Sequence, residues 1–120
     1  MILLKASFGA IMLLKVIVGD TIKVNLDPCV GDPLFTEQIN IRVANIDTPE
    51  LYGCDPMNGK IAKTFVEQVL GKAKMIDLRQ CVRDKYFRLV CHVYADGKHL
   101  GDQLLEAGLA VRYGKKWECK

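Results

Sequence analysis

The 120-residue sequence lacks the features that identify membrane, repetitive and zinc-binding proteins. It has no low-complexity tract, no block of like charge and no internal repeat, and nothing in it indicates a linker or a second domain. Its most apolar stretch, residues 1–14, is short and is interrupted by Lys5, which argues against a membrane-spanning helix. None of the five cysteines belongs to a Cys-x-x-Cys pair, which argues against a zinc site.

The composition is that of an ordinary soluble globular protein. Half of the residues are hydrophobic and 26% are charged, and the length fits one domain over residues 1–120. The net charge of +3 is compatible with a nucleic-acid partner but does not identify one.

The first residues have two interpretations. An apolar start interrupted by Lys5 is either part of an export signal or the beginning of a first strand. A strand is favoured, because no clean cleavage site follows and residues from Ala10 onward lead into the Gly19-Asp20 turn.

Hydrophobic periodicity predicts a chain made mainly of short strands with two helices. The first helix is expected to begin at Asn58 and to end before Gly71, and Asp96-Gly97 is a strong two-residue turn signal. The pattern alone does not distinguish a small closed barrel from other α+β arrangements. The predicted strands are residues 11–18, 21–26, 38–44, 74–79, 88–95 and 109–112, and the predicted helices are residues 58–70 and 99–107.

The cysteines are expected to play two different roles. Cys81 and Cys91 fall in strand patterns, where the simplest expectation is a small buried apolar side chain. Cys54 and Cys119 lie in polar stretches, and we predict a disulfide between them that ties down the chain end.

Three separated blocks carry the residues that suggest chemistry: VIVGDTIKV at residues 16–24, RVANIDTPE at residues 42–50 and DKYFR at residues 84–88. Their carboxylates suit a hard divalent cation, and their two guanidiniums suit a phosphate, which arginine binds through two parallel hydrogen bonds. Together they indicate metal-assisted attack of water on a phosphodiester. The residues concerned are Asp20, Asp47 and Glu50 and the arginines Arg42 and Arg88.

The three blocks resemble, in order and spacing, the staphylococcal nuclease (thermonuclease) family. The resemblance implies an α+β, mainly β fold over about residues 10–113, an OB-fold five-stranded Greek-key barrel with about two helices. It also implies Ca²⁺ held by Asp20, Asp47 and the Thr48 carbonyl. Glu50 would act on the attacking water, and two arginines would hold the scissile phosphate, namely Arg42 and Arg88.

The resemblance extends to the substrate-binding residues, with two departures. Lys85 and Tyr86 match residues that contact an adjacent phosphate, and Tyr113 lies near the place of an aromatic side chain at the pocket wall. Val18 stands where the family often has an acidic residue, and Phe87 replaces the usual glycine. The first departure predicts weaker cation binding or a different metal preference, and the second predicts strain or an altered turn before Arg88.

The expected function is that of a calcium-dependent, sugar-nonspecific nuclease. The resemblance implies cleavage of DNA and RNA, single strands being favoured, with 3′-phosphate ends and no protein partner or membrane. It slightly favours a secreted or periplasmic location, although no intact signal peptide is visible.

Three alternatives stay open. The first is a catalytically inactive OB-fold module that binds nucleic acid. The second is a barrel that binds other proteins. The third is that each site residue has an ordinary structural role, with Asp20 and Asp47 in turns or caps and Arg88 on a strand surface.

Overall fold

The computed structural model describes residues 3–6, 9–26, 38–85 and 88–119. These residues form nine strands and two helices in the described part of the chain. The strands are β1 (Leu3–Ala6), β2 (Gly9–Val18), β3 (Thr21–Leu26), β4 (Ile39–Val43), β5 (Ile46–Asp47), β6 (Ile76–Arg83), β7 (Leu89–Ala95), β8 (Lys98–His99) and β9 (Val111–Arg112). The helices are α1 (Pro56–Lys72) and α2 (Leu100–Glu106).

The larger sheet is mixed, with the strand order β4-β3-β2-β1-β6-β7-β8. Strand β4, the first in this order, also pairs in parallel with β7. The six strands from β4 to β7 in this order therefore form a closed ring. The predicted fold class, an α+β and mainly β fold with two helices, is confirmed. The short strand β1 is an addition to the predicted set, and it lies between β2 and β6.

Alternating side chains of β3, β4, β6 and β7 fill the interior of the ring. In β4, Ile39, Ile41 and Val43 are buried while Asn40 and Arg42 lie on the other face, as the period-2 pattern predicts. The two helices add leucine and small residues to the same core. The largest fully buried side chains are Ile22, Ile41, Ile46, Leu70, Ile76, Leu78, Leu100, Leu104, Val24 and Val43.

Helix α1 begins at Pro56, not at Asn58 as predicted. Asp55 is its N-cap and accepts a hydrogen bond from the Asn58 N–H at 3.3 Å, and proline is well tolerated in a first turn because its missing N–H has no partner there. The helix also continues through Gly71 to Lys72. No helix in the described part of the chain is long and apolar enough to span a membrane.

Leu104 is a sensitive position of the core, since its side chain on α2 is fully buried. We expect Leu104→Ala to lower the free energy of unfolding by about 2–5 kcal/mol, because truncation leaves a cavity in a closely packed interior. Urea denaturation measures this loss. Leu105→Ala is the matched control, because Leu105 is only partly buried, and an equal loss in both variants would contradict the account.

The Asp96-Gly97 turn joins β7 to β8, and both of its residues have positive φ, as this dipeptide predicts. The Asp96 carboxylate accepts hydrogen bonds from the backbone N–H groups of Met75 and Lys74, at distances from 2.8 to 3.2 Å. The Met75 hydrogen bond, and next the Lys74 hydrogen bond, lower the pKa of Asp96 below its ordinary range. The carboxylate therefore links this turn to the segment that leads into β6.

The Asp96 link predicts a pH-dependent stability. Because the pKa is lowered on folding, the contribution of Asp96 is complete above the ordinary carboxyl pKa and is lost as pH falls through the lowered pKa, which is below about pH 4. We expect Asp96→Asn to be less stable than the unmodified protein at pH 7, and we expect this difference to shrink at a pH below the ordinary carboxyl range. Denaturant unfolding at the two pH values measures the difference, and a gap that widens in acid would contradict the prediction.

Cys54 and Cys119, which are 65 residues apart in the sequence, are joined in a disulfide. The bond fastens the C-terminal tail to the loop before α1. Cross-links of this kind stabilise a fold mainly by restricting the unfolded chain.

Cys81 and Cys91 are also joined in a disulfide, which differs from the expectation of two separate buried side chains. Cys91 is fully buried in the core, as expected, and Cys81 is partly buried. The register of β6 against β7 shifts between Arg79 and Val82, and Gln80 has a positive φ in this bulge. The bulge places Cys81 beside Cys91, and strand periodicity does not reveal such a shift.

Candidate active site

Asp20 lies in the tight turn between β2 and β3. A Cβ at the preceding Gly19 would lie 2.9 Å from both Ala62 Cβ and Thr48 Oγ1, so glycine is what allows the turn to pack this closely. Asp20 Oδ1 accepts a hydrogen bond from the Thr21 hydroxyl at 3.0 Å, and Oδ2 accepts one from the Thr48 N–H at 3.1 Å. These two bonds fix the orientation of the carboxylate.

Arg42 lies on β4 between Asp20 and Asp47. Its Nη2 donates to the Asp47 carboxylate and is 3.5 Å from Asp20 Oδ2, while Nη1 donates to the carbonyls of Val43 and Ile46, each at 2.8 Å. The side chain of Arg42 is 11% exposed, that of Asp20 is 13% exposed and that of Asp47 is 37% exposed. We call these three residues the acid–arginine cluster. Its charges are partly shielded from water, so salt screens them less than surface charges.

A small two-stranded sheet holds Asp47 in place. Strand β5 pairs with β9, with Ile46 opposite Arg112 and Asp47 opposite Val111. Asn45, which has a positive φ of 67°, forms the turn that leads into β5, and its carbonyl accepts a hydrogen bond from the Tyr113 N–H at 2.9 Å. Tyr113 is thus placed beside the Asp47 segment with its side chain exposed. The sequence did not predict this pairing, because a strand of two residues has no detectable periodicity.

Glu50 is exposed on the loop that follows Thr48 and the buried Pro49. Its carbonyl accepts a hydrogen bond from the Gly53 N–H at 3.3 Å. The same carbonyl packs against Gly59 of α1, where an added Cβ would lie only 2.6 Å away. The backbone of Glu50 is therefore held against α1 while its carboxylate faces solvent.

Arg88 lies just before β7, whose first residue, Leu89, pairs with Ile41 of β4. Asp84 binds it in two ways: Oδ1 accepts from the Arg88 N–H at 2.9 Å and Oδ2 accepts from Nε at 2.8 Å. Asp84 therefore fixes the guanidinium at the start of β7, which pairs with β4, the strand that carries Arg42. The sequence interpretation missed this role for Asp84, although an acid four residues before an arginine in a turn is a usable signal.

The structure brings some predicted site residues together and leaves others apart. Asp20, Arg42, Asp47 and Thr48 form one connected set of hydrogen bonds and ion pairs. Glu50 follows two residues after Thr48 but makes no contact with the acid–arginine cluster among the interactions described above. The exposed Lys85 lies in the turn between β6 and β7, and Tyr86 and Phe87 lie outside the described residues.

The oxygen atoms of Asp20, Asp47 and the neighbouring Thr48 suit a hard cation. Two carboxylates and the Thr48 backbone carbonyl are the oxygen ligands that Ca²⁺ prefers, with water completing the coordination. The Thr48 Oγ1 atom is buried and has no hydrogen-bond partner within the described residues. Among those same residues, no three His, Cys, Asp or Glu side chains are grouped closely enough to hold a metal by themselves. A cation here would thus depend on backbone and water ligands besides Asp20 and Asp47.

Comparison with known protein families identifies the group to which this chain belongs. Residues 40–120, which include β5 to β9, both helices and all but the first residue of β4, match the family described as staphylococcal nuclease homologue. The chain belongs to the staphylococcal nuclease homologue family. The predicted family is thereby confirmed, and two of the three sequence blocks, residues 42–50 and 84–88, lie inside the matched range.

Two curated relatives share part of their length with this family member. The chain is 35% identical over 97 residues to the SPbeta prophage-derived endonuclease YokF of Bacillus subtilis (strain 168), which covers 77% of this chain and 30% of that protein. It is 26% identical over 98 residues to an uncharacterized 38.1 kDa protein of Capnoides sempervirens, covering 75% of this chain and 28% of that protein. The chain thus spans less than a third of the length of either relative.

Proposed function

We propose that this chain is a nuclease that hydrolyses phosphodiester bonds of DNA and RNA with the help of Ca²⁺. The observation that carries the proposal is the convergence of Asp20, Arg42, Asp47 and Thr48 where the turn between β2 and β3 meets β4 and β5, directly before the loop that carries Glu50. Membership of the family and the similarity to a protein named as an endonuclease support it.

In the proposed reaction the acids hold a cation and act on the attacking water, and the guanidiniums bind the negatively charged phosphate. Asp20, Asp47 and the Thr48 carbonyl would hold the cation, which when bound would lower the pKa of water and offset charge on the phosphoryl oxygens. Glu50 orders the attacking water or accepts its proton, a role that suits an exposed carboxylate on a loop held at its backbone.

Arg42 and Arg88 bind the scissile phosphate in this proposal. Arg42 exchanges its contact with Asp47 for one with a phosphate oxygen, while its Nη1 bonds to two carbonyls keep the guanidinium in place. Asp84 keeps Arg88 oriented through Nε. A planar guanidinium that is already oriented loses little conformational entropy when it binds phosphate.

Lys85, Tyr86 and Tyr113 complete the proposed substrate groove. Lys85 and Tyr86 would contact the adjacent phosphate, and the exposed Tyr113 ring would face a base. Contacts of this kind read the backbone and the flat faces of bases, so they give little sequence specificity and favour single strands. Cleavage is expected to leave 3′-phosphate ends.

An oligonucleotide assay tests the proposal. A 5′-labelled single-stranded DNA and its RNA counterpart are incubated with Ca²⁺, and again with an excess of chelator. We expect cleavage of both substrates to 3′-phosphate products with Ca²⁺ and none with chelator. If no divalent ion supports cleavage but the chain still binds the oligonucleotide in a salt-sensitive manner, the inactive binding module is the better account.

A further inference from the structure

We propose that the C-terminal tail, residues 117–119, positions Glu50 for catalysis. The inference rests on the proposed nuclease function and assigns a role to residues outside the acid–arginine cluster. Trp117 and Cys119 are positioning residues in this account, because they act on the Glu50 loop and not on substrate.

Asp55 provides the first link between the tail and the Glu50 loop. This buried side chain caps α1, and its Oδ2 atom accepts hydrogen bonds from Asn58 Nδ2 at 2.8 Å and from Trp117 Nε1 at 3.1 Å. The donor Trp117 lies 62 residues after Asp55 in the chain. The tail is therefore connected to the start of the helix that supports Glu50.

The disulfide between Cys54 and Cys119 provides the second link. Cys54 immediately precedes the helix cap and follows Gly53, whose N–H donates to the Glu50 carbonyl. The tail is thus fastened at two points, by a covalent bond and by a hydrogen bond, on the segment between Glu50 and α1.

Close packing transmits this attachment to Glu50. A Cβ at Gly59 would lie 2.6 Å from the Glu50 carbonyl oxygen, and a Cβ at Gly53 would lie 3.3 Å from Glu50 Cβ. The Glu50 backbone therefore lies directly against the first turn of α1 and against Gly53. A shift of the loop or of the helix start would move the Glu50 carboxylate with it.

An exposed carboxylate needs such support to act on one water molecule. The Glu50 side chain gains no fixed orientation from burial, because it is exposed. A misplacement of about 1 Å can lower a catalytic rate by about 10²-fold. The two tail links limit the movement of the backbone from which this side chain extends.

The test combines tail variants with a variant of Glu50 itself. Cys54→Ser/Cys119→Ser removes the covalent link, and Trp117→Phe removes the N–H donor but keeps an aromatic ring. We expect each to lower kcat by about 10- to 100-fold, with KM nearly unchanged. In a Glu50→Gln background the same tail changes should cost almost nothing further, because the tail acts through Glu50.

A second readout does not depend on activity. We expect faster amide hydrogen exchange at Gly53 in the tail variants, because its bond to the Glu50 carbonyl opens more often. Asp96→Asn is the control for a general loss of stability, since Asp96 links Lys74 and Met75 and makes no contact with the Glu50 loop among its described hydrogen bonds. Its kcat and the Gly53 exchange rate should stay at the levels of the unmodified protein.

The outcomes separate this inference from the proposed function. If the unmodified protein does not cleave the oligonucleotide, the proposed function fails and the inference fails with it. If it cleaves, and the tail variants keep their kcat or lose the same factor in the Glu50→Gln background, the nuclease function stands and the positioning role is overturned.

Discussion

Glu50→Gln is expected to lower kcat for oligonucleotide cleavage by about 10²–10⁴-fold, the usual effect of removing a general base. The amide has almost the same shape as the carboxylate but neither accepts a proton nor carries charge. Because Glu50 is exposed and contributes to packing through its backbone, the free energy of unfolding should change little. Initial rates and urea denaturation measure the two quantities separately.

Glu67→Gln is the matched control for the Glu50 variant. Glu67 is an exposed acid on α1, so the substitution makes the same change in net charge away from the proposed site. We expect its rate to equal that of the unmodified protein. A Glu50→Gln rate within about threefold of this control would remove Glu50 from the proposed mechanism, since such a ratio is well below the effect of a lost base.

Arg42→Met is expected to affect both stability and cleavage. Removal of the guanidinium leaves Asp20 and Asp47 close together without their shared donor, and unpaired acceptors in a partly buried site cost about 1–3 kcal/mol. Cleavage should fall by about 10²-fold or more, because a donor to the phosphate is lost. Thermal unfolding and initial rates measure these losses.

Calcium should stabilise the Arg42→Met variant more than it stabilises the unmodified protein. In our account Arg42 and the cation bind the same two carboxylates. Without the arginine, both carboxylates are fully available to the cation. A ligand that binds only the folded state raises the stability of that state. The melting temperature is measured at increasing Ca²⁺ concentrations. An equal rise in both proteins would indicate that Ca²⁺ does not bind Asp20 and Asp47.

Local patterns were sufficient to predict most of the fold. The alternation in β4 and the helical spacing in α1 follow directly from which face of each element is buried. The Asp96-Gly97 turn was equally readable, because its conformation depends on these two residue types. The start of α1 was missed because Asp55 and Asn58 are both good caps, and the proline between them decides in favour of Asp55.

Several features that the sequence did not reveal depend on contacts between segments that are separated in the chain. The pairing of β5 with β9 involves two residues on each side and has no detectable period. The disulfide of Cys81 with Cys91 depends on a bulge in β6. The sequence predicted the types of residue in the site, but it did not predict that Arg42 would bind both Asp20 and Asp47, since this requires the folded turns around Gly19 and Asn45.

The most direct test of the central claim is the single-turnover cleavage rate of a single-stranded oligonucleotide with saturating Ca²⁺, measured for Asp20→Asn, Glu50→Gln and Arg88→Lys beside the unmodified protein. We predict cleavage by the unmodified protein and a loss of about 10²-fold or more in each variant. Cleavage by Asp20→Asn and Glu50→Gln at the unmodified rate would contradict the account, because the reaction would then take place without the acidic residues of the proposed site.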